Sequence, residues 1–162
     1  MPSTSADAPL GVTVTIGFGN CMNSLADWLF SGKLAQFPNL RLMYAESQIG
    51  WIPYLLERAD DVWKQHKAWV STGGEISEPP STYYYRQVSG CFFRDQHGMD
   101  SLEQCGVDNV MFEVDYPHSD STWPDSRSVA EEIMTGLPDA TIHKLVRGNA
   151  IRWLGLDLPE RP

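Results

Sequence analysis

One stretch of the sequence decides the fold: Asn109-Val110-Met111-Phe112-Glu113-Val114-Asp115-Tyr116-Pro117-His118. A mostly apolar run ends here in an acid, an aromatic residue, a proline and a histidine. Gly106 breaks the chain before the run, and a polar loop at residues 119–124 follows it. In parallel sheets and barrels, ligands bind at the carboxyl ends of the strands. The stretch therefore predicts a buried strand at 109–114 that delivers a carboxylate, Asp115, and an imidazole, His118, to that end.

Two further apolar runs have the length and composition of strands, at residues 40–46 and 88–93. Each of the three strands is followed by a loop and then by helical periodicity, and the predicted helices cover 51–70, 99–105, 127–136 and 140–153. This alternation predicts an α/β fold with a parallel sheet. Because three parallel strands alone would leave two apolar edges open, we expect them to belong to a larger sheet.

The amino-terminal part of the chain admits two interpretations. The alternating β-branched run Val12-Thr13-Val14-Thr15-Ile16 indicates a strand by propensity. From Asn20 onward, apolar residues recur at helical spacing up to a stop at Gly32. Residues 12–16 are therefore a strand by local propensity, or a helix if the neighbouring pattern extends to them. Residues 1–9, with little to bury, predict a flexible start.

Charge and cysteine content exclude several classes of function. The net charge of -9 and the pI near 4.7 argue against nucleic-acid binding and against an anionic membrane surface. The apolar runs are too short to span a bilayer. Three cysteines without a CxxC pair argue against a disulfide framework and a thiolate zinc site. We therefore expect a cytoplasmic protein that binds neither nucleic acid nor membrane.

Several motifs, taken in their order along the chain, resemble those of one known family. They are Phe37-Pro38-Asn39-Leu40-Arg41-Leu42, Ala45-Glu46-Ser47-Gln48-Ile49-Gly50-Trp51-Ile52-Pro53, Gly106-Val107-Asp108-Asn109, Asp115-Tyr116-Pro117-His118 and Gly148-Asn149-Ala150. The set resembles the carboxyl-terminal half of amidohydrolase-related enzymes, particularly those similar to aminocarboxymuconate-semialdehyde decarboxylase. The resemblance implies a partial TIM (β/α)8 barrel over residues 10–162. Its strands six, seven and eight would be the three predicted strands, and residues 10–34 would be the helix after strand five.

The resemblance also implies chemistry. Family members hold a divalent metal, usually zinc, and hydrolyse or non-oxidatively decarboxylate small organic acids. Asp115 matches the aspartate after strand eight, and would be a metal ligand and the base that exchanges a proton through a bound water. Glu46, at the barrel mouth, and His118 would contact the substrate or support the ligands. Each residue also has a purely structural interpretation. Asp115 would begin a turn, His118 would be a loop histidine bonded to the backbone, and Glu46 would pair with an arginine.

The remaining metal ligands of the family are a histidine pair after strand one and a histidine after strand five. The sequence contains no HxH or ExH motif, and no histidine matches the fifth-strand position. Because catalytic zinc sites use about three protein ligands, we expect this chain alone to bind metal weakly or not at all. Two hypotheses follow. The chain is the carboxyl-terminal portion of a metal-dependent enzyme acting on a small molecule, or it is an inactive truncated product or a subunit that needs a partner. That partner would be the amino-terminal half or another copy in a homo-oligomer.

Overall fold

The structure, a computed structural model, describes residues 5–67, 69 and 76–158. Parts of the predicted flexible start, of the helix end near Val70 and of the loop after it lie outside the described residues. Contacts divide the chain into two units. One comprises Met1–Arg41 with Tyr54–Gln87, and the other comprises Leu42–Pro53 with Val88–Pro162.

The first unit is helical. Its elements are α1 (Leu10–Thr15), α2 (Gly19–Phe30), α3 (Lys33–Gln36), α4 (Ile52–His66) and α5 (Pro80–Gln87). The first two residues of α4 belong to the second unit. The resemblance implies one helix at residues 10–34, whereas the structure divides this segment into α1, α2 and the start of α3. The segment is helical, and the strand interpretation of residues 12–16 is wrong. The hydroxyl of Thr15 donates to the carbonyl of Gly11 one turn earlier, which suits a helix. Strand propensity depends on neighbouring strands, and within the described residues no strand pairs with this segment.

The helical unit has an apolar core with polar anchors. The buried side chains are Leu25, Leu29, Leu34, Leu56, Ala59, Ile76, Tyr83 and Tyr84. The amide of Gln87 donates to the carbonyls of Phe37 and Leu40, at 2.9 and 3.1 Å. The carboxylate of Asp60 accepts from both the N–H and the hydroxyl of Ser81 at the start of α5. These bonds fix the loop after α3 and the first turn of α5.

The second unit contains a parallel sheet, as predicted. Its strands are β1 (Leu42–Tyr44), β2 (Val88–Phe92) and β3 (Val110–Phe112), in the order β1-β2-β3. Leu42 pairs with Val88, and Gly90 pairs with Val110. Every residue of β2 is buried, as expected for a central strand. The predicted α/β class with about three parallel strands and flanking helices is confirmed.

Helices complete this unit. They are α6 (Gln96–Asp100), α7 (Leu102–Cys105), α8 (Ser126–Ile133), α9 (Asp139–His143) and α10 (Asn149–Leu154), with a π-helical segment, Lys144–Gly148, between the last two. The buried amide of Asn149 donates to the carbonyls of Val107 and Val110, at 2.7 and 2.8 Å, and so joins α10 to β3. None of the helices in the described ranges has the length and apolar composition of a membrane span.

Candidate metal centre at the carboxyl end of the sheet

Three side chains meet where the strands end. Glu46, Asp115 and His118 each offer one possible ligand atom, and these atoms lie within 4.8 Å of one another. Glu46 follows β1 by two residues, and Asp115 follows β3 by three. Because β1, β2 and β3 are parallel, their carboxyl ends lie at one edge of the sheet. The structure therefore brings together all three side chains that the sequence selected.

Asp115 and His118 form a close pair within the cluster. The Nδ1 of His118 lies 3.0 Å from the Oδ2 of Asp115, and the backbone N–H of His118 donates to the carbonyl of Asp115 at 2.9 Å. The side chain of Asp115 is 13% exposed and that of His118 is 57% exposed. Asp115 is thus a shielded carboxylate, while the imidazole faces solvent and is open to a ligand.

The backbone at this edge is strained. Glu46, Gln48 and Asp115 have φ angles of 53°, 52° and 58°, in the left-handed region that favours glycine. Each such residue costs on the order of 1–3 kcal/mol, and such residues persist where the surrounding contacts enforce them. The N–H of Glu46 donates to a carboxylate oxygen of Glu113 at 2.9 Å, which holds the turn after β1. Strain of this kind concentrates at functional sites.

Glu113 is a third acid, after Glu46 and Asp115, and the sequence interpretation counted it only as part of the strand. Its pKa is raised from 4.5 to about 7: burial is the largest cause, the bond from the Glu46 N–H lowers the pKa, and the nearby carboxylates of Asp115 and Glu46 raise it. A signal was present in the sequence, because Glu113 is the one charged residue in an otherwise apolar run. The site therefore concentrates acidic groups, an arrangement that a cation would stabilise.

Asp95, also missed, fixes the loop that carries Glu46. Its carboxylate accepts from the N–H groups of Ile49 (2.7 Å), Gly50 (2.6 Å) and Gly98 (2.8 Å). A Cβ at position 50 would lie 2.8 Å from an oxygen of Asp95, so only glycine fits this close approach. The indole N–H of Trp51 donates to the carbonyl of Ser47 at 2.8 Å. These bonds order the segment that follows β1.

The loop after β3 is closed on itself. The hydroxyl of Ser121 and the N–H of Thr122 both donate to the carbonyl of Val114, at 2.8 and 3.1 Å. Thr122 is only 2% exposed. The segment that contains Asp115 and His118 is therefore held at both ends rather than extended into solvent.

The sequence pattern of the amidohydrolases matches residues 5–156. The chain belongs to the amidohydrolase family. No curated protein matches this amidohydrolase chain. Solved structures do, including an amidohydrolase from Mycobacterium avium subsp. paratuberculosis, with a TM-score of 0.75 and 19% identity over 91% of this chain and 36% of the other.

Two decarboxylases are also similar in structure to this amidohydrolase chain. The 5-carboxyvanillate decarboxylase of Sphingomonas paucimobilis has a TM-score of 0.67 and 19% identity over 83% of this chain and 39% of its own. A dihydroxybenzoic acid decarboxylase from Polaromonas has a TM-score of 0.65 and 20% identity over 88% of this chain and 42% of its own. Its structure holds manganese and 2-nitroresorcinol. The chain thus spans well under half the length of these proteins, and its fold is that of part of a TIM barrel, as predicted.

The donor set of this amidohydrolase chain fits a divalent metal. Two carboxylates and one imidazole are ligands that zinc and manganese both accept. The ligand atoms of Glu46, Asp115 and His118 are close enough to converge on one ion. His118 would bind that ion through a ring nitrogen that carries no proton, and Asp115 through a carboxylate oxygen. We find no conflict between the residues present and the metal that the family resemblance implies.

Proposed function

We propose that this chain supplies strands six to eight and the Asp115 site of a metal-dependent amidohydrolase-type enzyme that hydrolyses or non-oxidatively decarboxylates a small organic acid. The convergence of Glu46, Asp115 and His118 at the carboxyl ends of β1 and β3 carries the proposal. The names of the similar structures support it, since they include decarboxylases of 5-carboxyvanillate and of 2,6-dihydroxybenzoate. Residues 10–162 would be the carboxyl-terminal part of one barrel domain.

Asp115 has the central role in this proposal, as metal ligand and as the group that handles the proton. Its shielded Oδ2 lies 3.0 Å from the Nδ1 of His118, which is within the range for direct proton transfer. Glu46 and the exposed His118 would orient the substrate or complete the ligand set. A bound divalent metal polarises a substrate oxygen and lowers the pKa of a bound water.

The metal is proposed as divalent, with zinc and manganese as the two candidates. Zinc is what the family resemblance implies, whereas manganese is present in two of the similar structures. Carboxylates are hard ligands that suit manganese, and the imidazole suits zinc as well. We expect weak binding by this chain alone, because the histidine pair and the fifth-strand histidine that the family resemblance implies as ligands have no match in its sequence.

A second candidate is a chain without catalysis of its own that becomes active with a partner. Within the described residues, β1 and β3 each pair on one side only, so both edges of the sheet are open to further strands. That partner would be an amino-terminal half or another copy of the chain. A cytoplasmic location is part of either proposal, and the thiols of Cys21, Cys91 and Cys105, none of which forms a disulfide, suit it.

Calorimetric titration of the full chain with MnCl₂ and ZnCl₂ tests the proposal. We expect one ion per chain, and Asp115→Asn should weaken binding by more than about tenfold, because it removes a charged ligand. Asp120→Asn is the matched control: it removes an exposed acid from the same loop and should leave the affinity unchanged. Equal binding by the Asp115→Asn and Asp120→Asn variants would refute the proposed site. No binding by the wild-type chain would favour the partner-dependent candidate.

A further inference from the structure

Glu113 links the two outer strands of the sheet at the edge where the acidic cluster lies. Its backbone N–H donates to the carbonyl of Phe92 at 2.8 Å, which continues the pairing of β3 with β2 by one residue. Its side-chain carboxylate accepts from the backbone N–H of Glu46 at 2.9 Å, although the two residues lie 67 positions apart in the sequence. One residue therefore attaches the loop after β1 to the segment that leads to Asp115.

This link crosses a gap between strands that do not pair with each other. β2 lies between β1 and β3 in the sheet. With neighbouring strands about 5 Å apart, the axes of β1 and β3 are separated by roughly 10 Å. Yet a possible ligand atom of Glu46 lies within 4.8 Å of those of Asp115 and His118. The two loops therefore converge across the end of β2, and the bond between Glu46 and Glu113 is a direct contact across the same gap.

The backbone of Glu46 needs a contact of this kind. Its φ angle of 53° is in the left-handed region, which residues other than glycine seldom occupy unless their surroundings enforce it. Asp95 holds the same loop through the N–H groups of Ile49 and Gly50, further along the chain. The bond to Glu113 acts on Glu46 itself. Removal of this acceptor would let Glu46 relax to an ordinary backbone conformation, which would move its carboxylate.

Glu113 extends from a well-packed part of the sheet. Met111, two residues earlier, leaves the same face of β3, because side chains alternate along a strand. Met111 pairs with Cys91 on β2, and both side chains are buried. The backbone bond to Phe92 fixes the next step of the chain. A group that orients a ligand must itself be held by packing and hydrogen bonds, and Glu113 meets this requirement.

We propose that Glu113 is a positioning residue for the metal centre. It holds Glu46 where the Glu46 carboxylate can share an ion with the other two members of the cluster, and it is not itself a ligand. The inference rests on the proposed function for the identity of the bound ion. Removal of a group that orients a metal ligand typically weakens metal binding by about 10- to 100-fold. A glutamine oxygen can accept the same N–H bond, so the role depends on the acceptor and not on the negative charge.

Calorimetric titration of the full chain with MnCl₂ tests this role. Glu113→Leu removes the acceptor and should weaken binding by about tenfold or more. Glu113→Gln keeps an acceptor and should bind nearly as tightly as wild type. Glu103→Leu replaces an exposed acid on α7 in the same way and should leave the affinity unchanged. Equal losses for Glu113→Leu and Glu113→Gln would overturn the role, because the charge and not the bond would then matter.

A double variant shows whether Glu113 acts through Glu46. If it does, the chain with both Glu46→Gln and Glu113→Leu should bind MnCl₂ no more weakly than Glu46→Gln alone, because the carboxylate that Glu113 positions is already absent. Losses that multiply in the double variant would show that Glu113 acts on the ion independently, and would overturn the positioning role. Glu113→Ala replaces Glu113→Leu in these titrations if the leucine variant does not fold.

Amide hydrogen exchange without metal separates this inference from the proposed function. The Glu46 N–H should exchange slowly in wild type and in Glu113→Gln, and about tenfold faster in Glu113→Leu. Exchange that is the same in all three proteins would overturn the inference even if metal binds. If wild type binds no metal but Glu113→Leu exposes the Glu46 N–H, the metal site fails and the positioning of Glu46 stands. Unchanged unfolding temperatures show that the faster exchange is local.

Discussion

Nδ1 of His118 lies 3.0 Å from Oδ2 of Asp115, three residues earlier, at the edge where β1 and β3 end. The pair joins a solvent-facing imidazole to a shielded carboxylate. Glu46 reaches the same point from the other outer strand. Two side chains from one loop and one from a distant loop are therefore close enough to contact a common ligand.

His118→Ala should weaken zinc binding more than manganese binding. Imidazole nitrogen is a preferred ligand of zinc, whereas manganese favours carboxylate oxygen. We expect a loss of about tenfold or more for ZnCl₂ and a smaller loss for MnCl₂, with the opposite order for Glu46→Gln. Calorimetry of both variants with both metals measures this. His97→Ala, at an exposed position on α6, is the control, and equal losses for the two metals would count against ligation by His118.

Asp95→Ala should destabilise the fold markedly. The carboxylate accepts three backbone N–H bonds, from Ile49, Gly50 and Gly98, and its removal leaves three donors without this acceptor. We expect a loss of about 2–5 kcal/mol in the free energy of unfolding, measured by urea denaturation. Asp157→Ala, an exposed acid near the end of the described chain, should change it by less than about 0.5 kcal/mol. Similar midpoints for the two variants would contradict this account of the loop.

Asn149→Leu should also lower stability. The side chain is 2% exposed, and its amide nitrogen donates to the carbonyls of Val107 and Val110. Leucine has the same number of side-chain heavy atoms but no donor, so a part-buried carbonyl and a buried carbonyl each lose a partner, at a cost of about 1–3 kcal/mol for the buried one. Thermal unfolding measures the loss. Asn23→Leu, on the exposed face of α2, serves as the comparison, and an unchanged melting temperature for Asn149→Leu would refute the anchoring role.

Stability should fall as the pH rises above about 9, in part through Cys105. Burial, followed by the charge of Asp95, raises the pKa of its thiol from 9.0 to about 12. A raised pKa means that the folded state keeps the proton longer than the unfolded state. The stabilisation is therefore complete below the unfolded pKa and is lost between about pH 9 and 12. Urea denaturation at pH 8, 9 and 10 should show a steeper decline for wild type than for Cys105→Ala.

Cys21→Ala, at a half-buried position of α2, is the control for that comparison and should keep the wild-type slope. Parallel pH profiles for wild type and Cys105→Ala would show that Cys105 contributes nothing to the alkaline decline. Other titrating groups, such as tyrosines, act equally on both proteins and cancel in the difference.

The fold class and the family of the protein can be assigned from its amino-acid sequence alone. Strand-like runs alternating with helical periodicity indicated a parallel α/β sheet, and ordered motifs pointed to the amidohydrolase family. Asp115 stood out because a polar residue directly after a buried strand is placed by the strand itself. Residues 12–16 show the limit of local signals, since their β-branched side chains favour a strand, whereas residues 12–15 are helical and Ile16 caps the helix.

The arrangement of the site follows from contacts that exist only in the folded chain. The left-handed backbone of Glu46 and Asp115, the raised pKa of Glu113 and the three bonds to Asp95 all depend on groups far apart in the sequence or on burial. The contact of Tyr116 with Trp123 depends on a loop closed through Val114. Spacing along the chain reports which face of an element a residue occupies. It does not report which residues from other strands lie near that residue. Those neighbours determine its backbone conformation, the pKa of its side chain and the contacts that it makes.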